Sequence, residues 1–244
     1  MLVAVSADFG PSAGAGCNRR TTLPGPCDSC GTAVSPIGAG IVSTRLCLAS
    51  QSSRRGELLR QAGFDFLVFA PEVDESAQSG ESPQALVERL SISKAQAATT
   101  AMADAPSRPL ACLGADTVVV ADAQVLGKPS DAAHAKEMLS GLSGRSHEVL
   151  TAITVAAGLE LHSRVVTSTV TFRQLSDQDI QAYCATSEPL DKAGGYAIQG
   201  FAGVFVQSLS GSYSAVMGLP LCETAGLLAA VGIWPRWRQN GNVQ

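Results

Sequence analysis

Residues 110–121 form an almost unbroken apolar run carrying a single charge, Asp116. A strand with one wet face alternates polar and apolar residues, whereas a continuous apolar run belongs to a strand covered on both faces. The run therefore predicts a buried strand and fixes the kind of sheet around it. A carboxylate inside it is costly unless paired or bound to metal. Asp116 either caps a turn at the strand's end or does chemistry, as a metal ligand or a proton acceptor from water, and spacing alone leaves both readings open.

Strands and helices interleave along the rest of the chain. Residues 45–50 and 66–70 read as short strands, and 56–62 as a helix with Leu58 and Leu59 inward, stopped by Gly63. Residues 83–102 read as a longer helix, in which Val87, Leu90, Lys94 and Ala98 follow helical spacing and place Lys94 one turn from the buried stripe. Gly127-Lys128-Pro129 marks a turn, 132–142 a helix, and 148–157 and 165–172 two neighbouring β-rich runs. Residues 176–186 read as a helix with Ser176 as N-cap, 201–209 as a strand and 220–231 as the last long helix. Alternation with some β–β neighbours predicts an α/β fold with a mixed central sheet flanked by helices.

Residues 1–43 are rich in Gly, Ala, Ser, Pro and Cys and poor in large apolar residues, and are read as a disordered extension. The globular domain is placed at 44–235, with 236–244 as a C-terminal tail. The net charge of −4 argues against a nucleic-acid binder, which is usually basic on one face. No stretch approaches the 18 or so apolar residues of a membrane span, and the N-terminus lacks the basic region of a secretory signal. The seven cysteines are scattered. Cys47, Cys112, Cys184 and Cys222 read as small core residues, and Cys27 and Cys30 as a reduced pair in the extension, a pattern that suits a reducing cytoplasm. His134, His147 and His162 show no metal-ligand spacing.

The run Leu48-Ala49-Ser50-Gln51-Ser52-Ser53-Arg54-Arg55 ends one predicted strand and opens a helix. It gathers the Ser50 hydroxyl, the guanidiniums of Arg54 and Arg55 and unpaired helix N–H groups at one point, which is chemistry for holding phosphate. Lys94, Lys128 and Lys192 are further phosphate candidates, although each alone reads as a surface charge. Asp74 and Glu75 are loop acids that matter only if they approach Asp116, where they would complete an oxygen site for Mg²⁺. Gly194, Gly195 and Gly200 bracket Tyr196-Ala197-Ile198-Gln199, and the Gln199 amide can read a base edge. No Walker P-loop, no G-x-G-x-x-G and no nucleophile elbow is present.

Taken in order, residues 48–59, 73–75, 81–94, 113–117, 126–129, 142–151, 188–200 and 211–224 resemble the signature of the Maf family of nucleoside triphosphate pyrophosphatases, across about 45–232. The resemblance implies a cleft between two lobes and hydrolysis of a nucleoside triphosphate to monophosphate and pyrophosphate with a divalent metal, Mg²⁺ or Mn²⁺. It implies Asp116 as the catalytic acid, acting as proton acceptor, and Arg55, Glu75, Lys94 and Lys128 as cleft residues that handle phosphates and metal; Glu75 and Asp116 are assigned to metal, and Ser50 and Lys192 join the phosphate set on their own chemistry. Arg54, Thr117 and Gln199 match the branch acting on dTTP and UTP, whereas the 7-methyl-GTP branch has Trp, Gln and Glu there. Ser53 stands where the family usually has Pro, and the extension has no counterpart. A homodimer is plausible, though no residue pattern reads it. A nucleotide-binding regulator of cell division or septum formation is the alternative from another class, and Gln199 with Thr117 disfavours an inosine triphosphate type of enzyme.

Overall fold

In the computed structural model, which describes residues 46–105 and 109–239, the apolar run folds as strand β3 (Ala111–Ala121) inside a seven-stranded sheet. In chain order the elements before β3 are β1 (Leu46–Ala49), α1 (Ser53–Gln61), β2 (Leu67–Phe69) and α2 (Pro83–Ala101). After it come β4 (Gln124–Leu126), α3 (Ala132–Leu142), β5 (Ser146–Ala157), β6 (Glu160–Phe172) and α4 (Asp177–Cys184). The chain continues through β7 (Val206–Ser210), α5 (Tyr213–Val216), α6 (Leu221–Ala230) and α7 (Arg236–Gln239). The sheet order is β2-β1-β3-β5-β6-β7, with β4 pairing β3 off this path. β1 runs parallel to β2 and β3 and the other pairs are antiparallel, so the sheet is mixed, as the alternation of elements predicts.

Both faces of β3 are covered. Val118 and Val120 pack with Leu86, Val87 and Leu90 of α2. On the opposite face Leu113 and Ala115 join Leu58 and Leu59 of α1 and Leu228 of α6. A separate cluster gathers Val119, Leu139 and Leu142 of α3, Ile180 and Tyr183 of α4, and Phe172. The helix starts follow their caps. Ser82 accepts the Ala85 N–H with Pro83 at the first turn of α2, and Ser176 and Asp179 form a capping box on α4.

One feature of the register makes the site. β1 pairs with β3 as far as Ala49 opposite Gly114, and β4 takes over only at Val119 opposite Leu126. The same edge of β3 therefore has no strand neighbour at 115–118. This interruption lies between the α1–α6 cluster and the α3–α4 cluster, and both Asp116 and Thr117 fall in it.

Several expectations are corrected. Residues 201–209 are not one strand: Phe201–Phe205 is a 3-10 turn and only the residues from Val206 enter the sheet. Buried Ala202 and Phe205 are three apart, the period of a 3-10 turn, while Phe201 and Val204 face outward. β6 starts at Glu160, earlier than its apolar pattern shows, because the first residues of the β5–β6 hairpin are polar on an open edge. Cys222 is exposed on α6, whereas Cys47, Cys112 and Cys184 are buried. Lys94 lies within the buried stripe of α2. The short elements β4, α5 and α7 carry too few residues for a periodic signal. α7 falls in the stretch read as a tail, where Arg236 N–H donates to Gly63 O and Trp237 Nε1 to Ala62 O. The extension, with its Cys27 and Cys30, lies outside the described residues. Among the described residues no helix is long and apolar enough to cross a membrane.

Candidate active site

The interruption in the sheet opens into a cleft of about 1040 Å³. Ser50, Arg54 and Arg55 reach it from the β1–α1 junction, Glu75 from the loop before α2, and Lys94 from α2. Asp116 and Thr117 come from β3, Lys128 from the turn after β4, and Lys192 and Gln199 from the segment after α4. All ten residues given a site role in the sequence thus line one cavity.

Lys94 is its charge centre. Its Nζ lies 2.7 Å from Asp116 Oδ1 and 2.7 Å from Glu75 Oε1. Asp116 and Lys94 are each only 8% exposed, so neither charge is compensated by bulk water. Burial alone would raise the Glu75 pKa. The bond from Lys94 and the nearby charges of Lys128 and Arg55 outweigh it and hold the carboxyl below its ordinary value. Asp74 does not join this group, because its carboxylate caps the next turn through Ser76 N–H at 2.9 Å. The loop carrying Glu75 is tied to α2 by Glu81, which accepts from Arg89 Nε at 2.7 Å and Nη2 at 2.8 Å, while the same Nη2 donates to Ser76 O.

Arg55 is fixed by three bonds. Nε donates to Gly218 O at 2.8 Å, Nη1 to Ser50 Oγ at 3.1 Å and Nη2 to Thr117 Oγ1 at 3.2 Å. Enclosure lowers its pKa from the ordinary value, and the charge of Asp116 partly offsets that. The N-cap residue Ser52 makes no side-chain cap on α1, and its own N–H donates to Ser50 Oγ at 3.2 Å.

The opposite wall is built on 3-10 turns at Glu188–Asp191, Ala193–Gly195 and Phe201–Phe205. Lys192 pairs with Asp191, and Gly194 N–H donates to Gly127 O at 3.0 Å, tying this segment to the Lys128 turn. Glu188 has a part that sequence reasoning missed. Its carboxylate accepts from Tyr183 O–H at 3.0 Å, Phe201 N–H at 3.0 Å and Ala202 N–H at 3.3 Å. It thereby caps the turn that follows Gln199. A Cβ on Gly200 would lie 2.5 Å from its oxygens, which is why a glycine stands there. Thr151 is the second residue missed, a fully buried hydroxyl joined to Thr117. Both lie inside segments that carry the resemblance, 142–151 and 188–200, but no residue pattern there marks their roles.

The sequence model of the Maf-like protein family matches residues 45–231. The chain belongs to the Maf family. It is 50% identical over 189 residues to a dTTP/UTP pyrophosphatase of Shewanella denitrificans, covering 75% of this chain and 94% of that protein. It is 51% identical over 186 residues to a dTTP/UTP pyrophosphatase of Salmonella typhimurium, covering 76% and 92%. Among solved structures, the Staphylococcus aureus Ham1 protein aligns at a TM-score of 0.37 and 16% identity over 54% of this chain and 72% of that one, a likeness too slight to carry an argument. The Maf match takes in the β1–α1 junction, β3 and every cleft residue named above.

Proposed function

We propose that this Maf protein hydrolyses nucleoside triphosphates, dTTP and UTP foremost, to the monophosphate and pyrophosphate. The observation that carries the reading is the convergence of Asp116, Glu75 and Lys94 beside Arg55 and an uncapped helix N-terminus in one cleft. A pure nucleotide binder needs cations and helix N–H groups, but it has no use for a buried carboxylate beside the phosphate path.

A nucleoside triphosphate carries roughly four negative charges at neutral pH. Arg54, Arg55, Lys94, Lys128 and Lys192 line the cleft to meet them. The donor set fits a divalent cation shared with substrate. Two carboxylates, Glu75 and Asp116, converge on a single point now held by the Lys94 ammonium. Among the described residues no group of three or more His, Cys, Asp or Glu forms a closed cage. Mg²⁺ typically takes one or two carboxylates plus phosphate oxygens and water. Glu75 and Asp116 would hold it, and bound there it supplies charge neutralisation at the phosphate oxygens.

The chain's own residues do the rest. Asp116 accepts a proton from a water or orients it, and the water oxygen bonds to the α-phosphorus. The bond from that phosphorus to the bridging oxygen breaks, and pyrophosphate leaves with its charge met by arginine and lysine. Catalysis is then mostly positioning and electrostatic stabilisation. Gln199 offers a donor and an acceptor, which suits the uracil or thymine edge with its N–H between two carbonyls. The names of the two relatives favour the same pyrimidine substrates.

Pyrophosphate release from a panel of triphosphates tests this, with wild type and Asp116→Asn, each with Mg²⁺ and with a chelator. Turnover of dTTP and UTP that stops on chelation and falls at least about a hundredfold in the variant is expected, since a positioned general base contributes about that much or more. Turnover confined to 7-methyl-GTP overturns the pyrimidine assignment. Binding without turnover on any nucleotide overturns the enzyme reading.

A further inference from the structure

Thr117 reads most simply as a residue whose hydroxyl touches the nucleotide. Its hydrogen bonds say otherwise. Thr151 Oγ1 lies 2.8 Å from Ala215 O, and a carbonyl only accepts, so the one proton on Thr151 is committed to it. Thr117 Oγ1 lies 3.0 Å from Thr151 Oγ1. With the Thr151 proton committed, Thr117 must be the donor in that contact. Arg55 Nη2 lies 3.2 Å from Thr117 Oγ1, and a guanidinium only donates. Every direction in the row Arg55, Thr117, Thr151, Ala215 O is therefore fixed, and each hydroxyl accepts from one neighbour and donates to the next. The proton of Thr117 points into the protein, and the group has none to offer a ligand.

We propose that Thr151 is a positioning residue for substrate binding: its hydroxyl orients Thr117, which in turn fixes the Arg55 guanidinium against the phosphates. This rests on the reading above that the cleft binds a triphosphate. The placement supports it. Thr151 is fully buried on β5, directly opposite Thr117 in the strand register, and does not line the cleft, so it can act only through its neighbours. The far end of the row is the α5 carbonyl Ala215 O, and Arg55 Nε is held by Gly218 O just beyond that helix. The same short segment thus anchors the guanidinium twice, once directly and once through two threonines. A row polarised in one sense strengthens each of its bonds in a low-dielectric interior.

The test uses the full chain and two readouts, kcat/KM for pyrophosphate release from UTP and the inhibition or binding constant of inorganic pyrophosphate. Thr151→Val, which keeps the shape and removes the hydroxyl, is expected to lower kcat/KM about tenfold through KM and to weaken pyrophosphate binding to match. Thr151→Ser restores both to within about threefold of wild type. The double variant Thr117→Val/Thr151→Val is no worse than Thr117→Val alone, because the two hydroxyls act in series. Losses that multiply, or a Thr151→Val enzyme within twofold of wild type, overturn the proposal. A neutron structure of the wild-type protein reads the same point without any variant. Deuterons on Thr117 aimed at Thr151 and on Thr151 aimed at Ala215 O are expected, and a Thr117 deuteron aimed into the cleft overturns it. Absence of turnover on every triphosphate with normal pyrophosphate binding would strike the hydrolase reading and leave the row testable through pyrophosphate alone.

Discussion

Two side chains on β5 show how far a single residue's surroundings can redirect it. Thr151 is consumed by the hydroxyl row, and His147, four residues earlier, is consumed by packing. His147 is 3% exposed, its Nε2 lies 2.8 Å from Tyr196 Oη, and its ring packs edge-on against Phe172 and Tyr196. Its ring does not line the cleft, and its surroundings are the aromatic rings of β6 and the segment after α4. Burial pushes its pKa down from the ordinary 6.5 to about 4. The unfolded chain therefore binds a proton between those pH values that the folded protein refuses. The stabilisation from keeping the ring neutral is complete above about pH 6.5 and is lost as pH falls toward 4, a change of roughly 3 kcal/mol. Glu81 and Asp179, each held at about 2 by an arginine, begin to lose their contribution near pH 5, so the window from 6.5 to about 5 belongs to His147. Denaturant midpoints across pH 8 to 4 are expected to fall in this window for wild type and to flatten for His147→Gln. A wild-type profile flat from 8 to 4 would remove the argument.

At the scale of elements, the site depends on how closely α2 lies on β3. A Cβ added at Gly114 would sit 2.2 Å from Ser91 O and 2.7 Å from Ala95 N, both backbone atoms of α2. A helix cannot yield there without moving as a body. Lys94 sits on that helix and Asp116 two residues beyond Gly114, so their 2.7 Å contact is set by this approach. Gly114→Ala is expected to cost about 1–3 kcal/mol of stability, as overpacking does, and to lower kcat as well. Urea unfolding and pyrophosphate release on one preparation check both, and an unfolding midpoint unchanged from wild type refutes the packing argument. The other wall gives a prediction of a different kind. Glu188 holds the turn after Gln199 through two N–H groups and Tyr183. Glu188→Ala is expected to reduce the preference for UTP over GTP about tenfold, the effect of about 1.4 kcal/mol of lost orientation, while triphosphates are still cleaved. Equal loss on both substrates would show that Glu188 holds the wall as a whole rather than the base-reading turn. Legibility differs among these elements for physical reasons. β3 and α2 show in the sequence because a buried run and a helical stripe repeat over many residues. The Phe201–Phe205 turn did not, because five residues hold a single 3-10 period and its cap comes from Glu188, thirteen positions earlier.

For the whole molecule, the cleft was legible as a set of residues and not as an arrangement. Separate short motifs carried Ser50, Arg55, Lys94, Asp116 and Gln199, and the structure brings all of them to one cavity. What spacing could not give is the pairing that creates the opening, namely β1 leaving β3 at Gly114 before β4 joins at Val119. Partners across a sheet are chosen by tertiary packing, and for that reason the choice between a capping and a chemical role for Asp116 stayed open in the sequence. Every cleft residue named here lies between Ser50 and Gly218. The family match begins at residue 45, and the Shewanella denitrificans relative is covered over 94% of its length by only 75% of this chain. A chain begun at residue 42 therefore keeps each side chain assigned to phosphate, metal and base, together with the helices that hold them. It is expected to release pyrophosphate from UTP with a kcat/KM within about twofold of the full chain, a difference below about 0.5 kcal/mol. Measuring both lengths side by side, with thermal midpoints, decides it. A loss beyond tenfold at an unchanged midpoint would mean that the first 41 residues contribute to the reaction itself, and the prediction would fail.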